Sequence, residues 1–346
     1  MASGPSSSDR RNQLNPLRFL LCASPALTNA SVPQPAAHPD RMVRRLRPGL
    51  IVALCLAAPV PTSAATVQDS TRLVVLGTGT PNPDPERSGP ALAVVVNGTA
   101  YIVDAGPGIV RRAAQAERNG IAALEASRLG IAFLTHLHSD HTVGLPDLIH
   151  TSWVLERARP FQLVGPRGTS AMARHLTAAW EEDIRIRTEG PQPHTKEGWV
   201  IEARDVAPGI VYRDSNVTVT AFEVPHTNWP QAFGYRFQTR DRVIVVSGDA
   251  TPNDAVVAAC NGCDLLVHEV YSAEAFKTRP LEWQRYHAGS HTSTVELAAL
   301  ASRARPKLLV LYHQLYWGAT DDDLVREIRN AGYAGAVLSA RDLGVY

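Results

Sequence analysis

A histidine-rich turn constrains the fold of this chain more than any other feature. It supplies four potential metal ligands within six residues: His136, His138, Asp140 and His141. The turn follows an apolar run, Ile131–Leu134, that predicts a buried strand, and it precedes a predicted helix beginning near Leu145. Imidazole and carboxylate groups together suit zinc or a similar divalent ion. Four such side chains at a strand end have no packing role, so the sequence predicts a metal site.

Three isolated polar residues occupy the same kind of position further along the chain. His226, Asp249 and His313 each follow an apolar run that predicts a buried strand. Ligand sites gather at the carboxyl ends of strands in α/β architectures. We therefore expect these three side chains to join the histidine-rich turn at one edge of a sheet.

The order of predicted elements indicates the fold class. Apolar, β-branched runs alternate with helical stretches throughout residues 66–346, and one helix start carries a capping box from Ser293 to Glu296. No glycine-rich dinucleotide fingerprint, repeat or composition break interrupts this body. The sequence predicts a single layered α/β domain over residues 66–346.

The first 65 residues differ from this body. Residues 1–41 have no sustained apolar periodicity and are expected to be unstructured. Residues 42–65 combine a basic start, an 11-residue apolar run (Leu50–Val60) and small residues ending at Ala65, which is typical of a signal peptide. The run is shorter than the roughly 20 residues of a membrane-spanning helix. We expect translation to begin at Met42 and the protein to be periplasmic or secreted, without a transmembrane segment; a buried N-terminal helix is the alternative.

Charge and cysteine content give two weaker indications. Residues 66–346 carry 27 basic and 31 acidic residues of the 34 and 33 in the chain, a net charge of −4. A weakly acidic body does not favour binding to a polyanion, so nucleic acid is not expected to be the principal ligand. Cys260 and Cys263 could form a local disulfide, a redox pair or half of a zinc site. After export, a disulfide or two unreactive thiols is favoured.

The ligand pattern resembles the metallo-β-lactamase superfamily, whose fold is a four-layer αββα sandwich. Four further motifs resemble its ribonuclease Z-like branch, which includes tRNA 3′-processing nucleases, phosphodiesterases and arylsulfatases: Gly77-Thr-Gly-Thr-Pro81, Val103-Asp-Ala-Gly106, Leu266-Val-His-Glu269 and His291-Thr-Ser-Thr294. The resemblance runs from about residue 72 to the end of the chain.

The resemblance implies a ligand set for two zinc ions, with Mn²⁺ or Fe²⁺ as alternatives. One ion would be held by His136, His138 and His226. The other would be held by Asp140, His141 and His313. Asp249 would bridge them. A hydroxide between the ions would be the nucleophile. Asp140 would also accept a proton, and His291 would stabilise the transition state or protonate the leaving group.

The resemblance also implies supporting roles for other polar residues. Asp104, His268 and Glu269 would brace the ligands. The remaining histidines of the body are expected in surface or loop positions: His150, His175, His194 and His287. The cavity walls are expected from Leu145–Trp153 and Thr188–Gly198, with Trp153, Trp199 and Trp229 as possible aromatic surfaces.

Departures from the tRNA enzymes indicate the substrate class. The insertion that these enzymes carry after a Gly-Tyr-Arg segment is absent after Gly234–Arg236, and no Gly- and Lys-rich arm is evident. We therefore expect an exported hydrolase of a small-molecule ester, either a phosphodiester or an aryl sulfate. A ribonuclease Z-type tRNA 3′-endonuclease and a lactonase or thioesterase of the same fold are alternatives, and a metal-binding protein without turnover is the least favoured. A homodimer is possible.

Overall fold

The computed structural model describes residues 70–346. The predicted extension (1–41), the signal peptide (42–65) and the start at Met42 lie outside the described residues.

A first sheet of six strands forms the N-terminal half of the described chain, in the order β1 to β6. The first three strands pair in antiparallel fashion and the last three add in parallel. The strands are β1 (Arg72–Gly77), β2 (Ala91–Val96), β3 (Thr99–Val103), β4 (Ile131–Phe133), β5 (Phe161–Gly165) and β6 (Ile201–Asp205).

A second sheet of seven strands follows, in the order β13 to β7. Strands β7 to β10 pair in antiparallel fashion, and β10 to β13 pair in parallel. The strands are β7 (Gly209–Arg213), β8 (Thr218–Glu223), β9 (Phe233–Gln238), β10 (Val243–Val246), β11 (Leu265–Tyr271), β12 (Leu308–Leu315) and β13 (Val337–Ser339).

Ten α-helices and two short 3-10 turns, Ala122–Leu124 and Ala126–Arg128, occupy the connections in residues 70–346. The helices are α1 (Ile109–Arg118), α2 (Ser139–Thr142), α3 (Leu145–Val154), α4 (Thr169–Ala179), α5 (Glu181–Glu189), α6 (Asp254–Cys260), α7 (Ala273–Phe276), α8 (Leu281–Ala288), α9 (Thr294–Ala304) and α10 (Asp321–Asn330). The predicted capping box is present, with the Ser293 side chain accepting from the Glu296 N–H.

Three apolar cores show how these elements are layered. Alternate residues of β1 face opposite cores: Leu73 and Val75 pack between the two sheets, whereas Val74 and Leu76 pack under α1, α3 and α4. A third core joins the outer face of the second sheet to α6, α9 and α10. Period-two alternation along the strands thus produces helix, sheet, sheet and helix layers. The predicted αββα architecture is confirmed.

Two details of the described part bear on the sequence predictions. Cys260 and Cys263 form a disulfide between the end of α6 and the loop before β11. Within residues 70–346, no helix is long and apolar enough to cross a membrane.

Candidate metal centre

Side chains from both sheets meet at one edge of the sandwich. His136 and His138 lie between the end of β4 and the start of α2, and Asp140 and His141 lie within α2. His226 follows β8, and Asp249 follows β10. His313 lies inside β12, at a bulge where two residues oppose one step of β11, and its backbone φ is +47°. A bulge redirects a side chain out of the regular strand alternation. Here it brings the imidazole to the other six side chains.

Three ring nitrogens converge in a first group of donors. His138 Nδ1 lies 3.0 Å from His136 Nε2 and 3.2 Å from His226 Nε2. The indole N–H of Trp229 donates to His138 Nε2 at 2.8 Å and fixes the orientation of that ring. This bond leaves the proton of a neutral His138 on Nδ1, so coordination of a metal ion through Nδ1 would require that proton to leave. These are the three residues predicted to hold one ion.

Asp140, His141 and His313 form a second group. Asp140 Oδ2 lies 3.2 Å from His313 Nε2 and 3.5 Å from His141 Nε2. Asp249 reaches both groups, since its Oδ1 lies 3.5 Å from His141 Nε2 and its Oδ2 lies 4.0 Å from His136 Nε2. This is the position expected of a bridging carboxylate.

Hydrogen bonds behind the histidines direct their lone pairs into the centre. His141 Nδ1 donates to Asp104 Oδ2 at 2.8 Å, and His226 Nδ1 donates to the Ser290 carbonyl oxygen at 2.8 Å. The Thr135 hydroxyl donates to Asp104 and accepts from His136 Nδ1. These hydrogen bonds place a proton on each Nδ1 and leave Nε2 as the ring atom that faces the centre, the arrangement that a metal-binding imidazole needs. Asp104 is thus a brace, as predicted.

Unpaired buried atoms and the chemistry of the donor atoms also fit divalent ions. His141 Nε2 and Asp249 Oδ1 are buried without a hydrogen-bond partner in the described residues. Burial of unpaired polar atoms destabilises the folded state unless a ligand binds them. Histidine nitrogen and carboxylate oxygen are donors that zinc accepts. The role of each residue as a ligand stays a prediction.

Burial and neighbouring charge act in opposite directions on the acidic and basic groups. Burial would lower the pKa of His141, but Asp249, Asp104 and Asp140 hold it well above its usual value. Burial would raise the pKa of Asp249, but His313, His141 and His136 hold it well below its usual value. The centre therefore keeps its carboxylates ionised.

His291 lies beside the second group of donors and faces the same space. Its Nδ1 is 3.4 Å from Glu269 Oε2 and 3.9 Å from Asp249 Oδ2. Glu269 is anchored by the backbone N–H of Thr292, and burial followed by the charge of Asp249 raises its pKa well above the usual range. Glu269 therefore lies beside His291, but the two facing atoms make no hydrogen bond within the described residues. The Nδ1 of His268 is engaged with the backbone oxygen of Glu269.

A cavity of about 590 Å³ opens above these donors. His138, Asp140, Asp249, His291 and His313 form its floor. The rest of the lining is formed by the following residues: Pro81, Asn82, Arg279, Glu282, Trp283, Tyr286, His287, Leu315 and Trp317.

Several expectations about the surroundings of the site are wrong. Leu145–Trp153 and Thr188–Gly198 do not line this cavity; Trp153 packs in the interior and its indole N–H donates to the Thr195 carbonyl oxygen. Trp199 does not line it either. Trp229 does not line this cavity, but it contacts the rings of His138 and His136 and lines a neighbouring cavity of about 340 Å³ that also includes His138 and Tyr286.

Two histidines are also misplaced by the sequence prediction. His150 is buried in α3, and His287 is buried in α8 where it lines the cavity. His175 and His194 are exposed, as predicted. The sequence did contain a signal for the wall, because Trp283, Tyr286 and His287 share one face of a helix four residues before His291.

Comparison with known proteins places these observations in a family. The model of the β-lactamase superfamily domain matches residues 99–314. Ribonuclease Z of Mycobacterium sp. strain KMS is 35% identical over 245 residues, 70% of this chain and 84% of the relative. Ribonuclease Z of Mycobacterium bovis strain BCG Pasteur 1173P2 is 30% identical over 275 residues, 78% of this chain and 96% of the relative.

Solved structures agree on the fold. The short form of human tRNase Z superposes with a TM-score of 0.60 at 22% identity, covering 80% of this chain and 98% of that one. The metallo-β-lactamase fold protein YhfI from Bacillus subtilis superposes with a TM-score of 0.59 at 17% identity, covering 80% and 99%. The predicted metallo-β-lactamase fold is confirmed.

Proposed function

Because the chain belongs to the β-lactamase superfamily, and within it to the family of the ribonuclease Z proteins, we propose that this metal-dependent hydrolase cuts phosphodiester bonds in RNA. The observation that carries the proposal is the position of Asp249 between two groups of donor atoms at the floor of a cavity. Two divalent ions held there would polarise a phosphoryl oxygen and supply a nucleophile at neutral pH.

The protein's own side chains would handle the protons. Asp140 and His291 both line the floor of the cavity, so a substrate bound there could reach their side chains. Asp140 would accept a proton from the attacking water, and His291 would protonate the leaving oxygen. Once His291 carries a proton on Nδ1, Glu269 would hold the ring in position, since its Oε2 lies 3.4 Å from that nitrogen.

This proposal revises two expectations from the sequence. The net charge of −4 argued against nucleic acid, but a net charge does not describe the local field of one cleft. The wall of this cavity carries one residue of each sign, Arg279 and Glu282, and bound divalent ions would add positive charge at its floor. The lead expectation named a small phosphodiester or an aryl sulfate. The names of the relatives, ribonuclease Z in each case, support RNA instead.

A small phosphodiester is the second candidate, and one observation favours it. Strands β9 and β10 are joined by only four residues, 239–242, closed by a hydrogen bond from the Thr239 N–H to the Arg242 carbonyl oxygen. A tRNA enzyme is expected to carry an insertion at this point. Here the insertion is absent, as the sequence predicted.

Initial rates of the zinc-loaded, full-length protein on three substrates test the proposal. The substrates are a precursor tRNA with a 3′ trailer, bis(p-nitrophenyl) phosphate and p-nitrophenyl sulfate. We expect cleavage of the RNA and the diester with little turnover of the sulfate. Cleavage of the diester alone would select the second candidate, and turnover of the sulfate alone would overturn both.

Two variants connect any activity to this site. Asp140→Ala should abolish hydrolysis and loosen one metal ion. Asp147→Asn is the matched control, because Asp147 pairs with Arg111 on the surface of α3 and does not line the cavity. Full activity in Asp140→Ala would rule out the assigned role of that carboxylate.

Export is a separate part of the proposal, supported by the pattern in residues 42–65. Fractionation of cells that express the full chain should find a shortened protein outside the cytoplasm, with an N-terminus just after Ala65. Full-length protein confined to the cytoplasm would contradict export. The possible homodimer stays a prediction for light scattering.

A further inference from the structure

The aromatic wall of the cavity has no role in the proposed hydrolysis. We infer that this wall, defined as Trp283, Tyr286, His287 and Trp317, binds the aromatic base of a nucleotide. The inference rests on the proposed function for the position of the phosphate, which would lie at the metal centre on the cavity floor.

The rings of the wall form one continuous surface. Trp283 stacks on His287 at 5.7 Å with an interplanar angle of 24°, and His287 contacts Trp317 at 4.6 Å. Behind this row, Trp317 packs on Tyr271 at 5.6 Å and on Phe276 at 6.3 Å. Ring contacts on several sides hold the surface in place before any ligand arrives, which reduces the entropy lost on binding.

Two members of the wall are exposed in a way that packing alone does not explain. Trp283 is 47% exposed and Tyr286 is 38% exposed, although both line a cavity next to a predicted active centre. Exposed aromatic groups that adjoin one another indicate a binding surface. Every base offers a flat face for stacking, so such a surface suits a nucleotide.

A cation at the end of the wall suits the backbone of a nucleotide. The Arg279 guanidinium lies 5.5 Å from the centre of the Trp317 ring, and its Nε is buried without a hydrogen-bond partner in the described residues. An adjacent cavity of about 290 Å³ shares Arg279 and Trp317 and adds Arg87, which lies 3.8 Å from Asp84 and 3.6 Å from Asp321. A base against the wall would place the next phosphate of an RNA chain within this second cavity, where guanidinium groups are suitable partners.

Binding of two ligands that differ only in the base tests the inference directly. Calorimetry on the zinc-loaded, full-length protein would compare adenosine 5′-monophosphate with ribose 5-phosphate. We expect the nucleotide to bind about 5- to 150-fold more tightly, the factor that stacking of one base typically contributes. In Trp283→Ala the ratio should fall towards one, while the dissociation constant for ribose 5-phosphate stays the same.

Control variants separate stacking from general disturbance. Trp180→Ala removes another exposed tryptophan, which stacks on His150 and does not line the cavity, so the ratio should be preserved. Trp283→Phe should restore part of the ratio because it restores an aromatic face.

The outcomes distinguish this inference from the proposed function. A ratio near one in the unaltered protein, or an unchanged ratio in Trp283→Ala, would overturn the base site even if RNA is cleaved. A ratio that depends on Trp283, with no phosphodiester cleaved, would support the base site and overturn the proposed hydrolysis.

Discussion

The two ends of the sandwich each carry a polar network centred on an aspartate, and only one network is complete. At the end opposite the metal centre, Asp214 Oδ2 accepts from the hydroxyls of Tyr101 and Tyr212, and its Oδ1 accepts from the backbone of Asn216 and Val217. At the metal centre, Asp249 is buried and its Oδ1 has no hydrogen-bond partner in the described residues.

This difference separates stability from function. A buried polar atom without a partner costs about 1–3 kcal/mol, so folding alone disfavours the arrangement around Asp249. The Asp214 network has its acceptors satisfied and contributes to the stability of the fold. We therefore expect substitutions at the metal centre to remove activity with little loss of stability, and substitutions in the Asp214 network to do the reverse.

The largest expected effect is that of Asp249→Asn. Loss of the carboxylate shared by both donor groups should lower kcat by about 10³-fold or more, since it removes several kcal/mol of charge stabilisation. The bound zinc should fall as well. The thermal midpoint of the metal-free protein should fall much less than kcat does, because the amide loses the attraction of His313 and His141 but also removes the cost of burying a charge whose Oδ1 has no hydrogen-bond partner in the described residues. Initial rates, zinc analysis and unfolding in chelator measure the three quantities; a large loss of metal-free stability would contradict the comparison.

His291→Ala should have the next largest effect. Removal of a general acid typically lowers kcat by about 10²–10⁴-fold. The zinc content should stay unchanged if His291 acts on protons and not on metal. Rates and zinc analysis would be compared with His175→Ala, which removes an exposed histidine from α4. Depleted zinc in His291→Ala would make it a ligand, which its 3.9 Å approach to Asp249 Oδ2 permits.

Asp104→Asn should have a smaller effect that excess metal reverses. Asp104 Oδ2 accepts hydrogen bonds from both His141 Nδ1 and the Thr135 hydroxyl. An asparagine side chain would either point its NH₂ group at these two donors or turn over and lose one of the other bonds to Asp104. Loss of such a brace typically weakens metal binding about 10–100-fold. Titration against a competing chelator measures the affinity. Activity should recover at high zinc concentration in this variant and not in Asp249→Asn; equal recovery in both would contradict the assigned bridge.

The metal centre could be predicted from the sequence further than its surroundings. His136 to His141 are close together in the chain, so their grouping does not depend on the fold. His226 and Asp249 could be predicted because strand ends meet at one edge in a layered α/β domain. His313 followed the same rule only in part, since β12 continues to Leu315 and a bulge, not the strand end, directs the side chain inwards.

The cavity wall could not be predicted in the same way. Helix α8 has no clear apolar stripe that would mark a buried face, so the shared face of Trp283, Tyr286 and His287 is only a weak sequence signal for the wall. Its position over the metal centre depends on ring contacts with Trp317, which follows β12 some 30 residues later. Contacts between distant segments of this kind are decided by tertiary packing, which local patterns do not report.

Asp214→Asn should have the smallest effect, and pH should reveal its origin. Burial alone would raise the pKa of Asp214, but hydrogen bonds from Tyr101 and from the backbone of Asn216 and Val217 lower it below its usual value. The stabilisation is therefore complete above the pKa of the unfolded chain, about 4, and is lost as the pH falls through the lower pKa of the folded protein. Because Asp214 is partly exposed, we expect the variant to lose only about 1 kcal/mol at pH 7. Denaturant unfolding at a series of pH values should show that the difference in the free energy of unfolding between the variant and the unaltered protein shrinks in acid. The zinc content and kcat of the variant should equal those of the unaltered protein. A difference that persists in strong acid would mean that the shape of the side chain, and not its charge, stabilises this end of the sandwich.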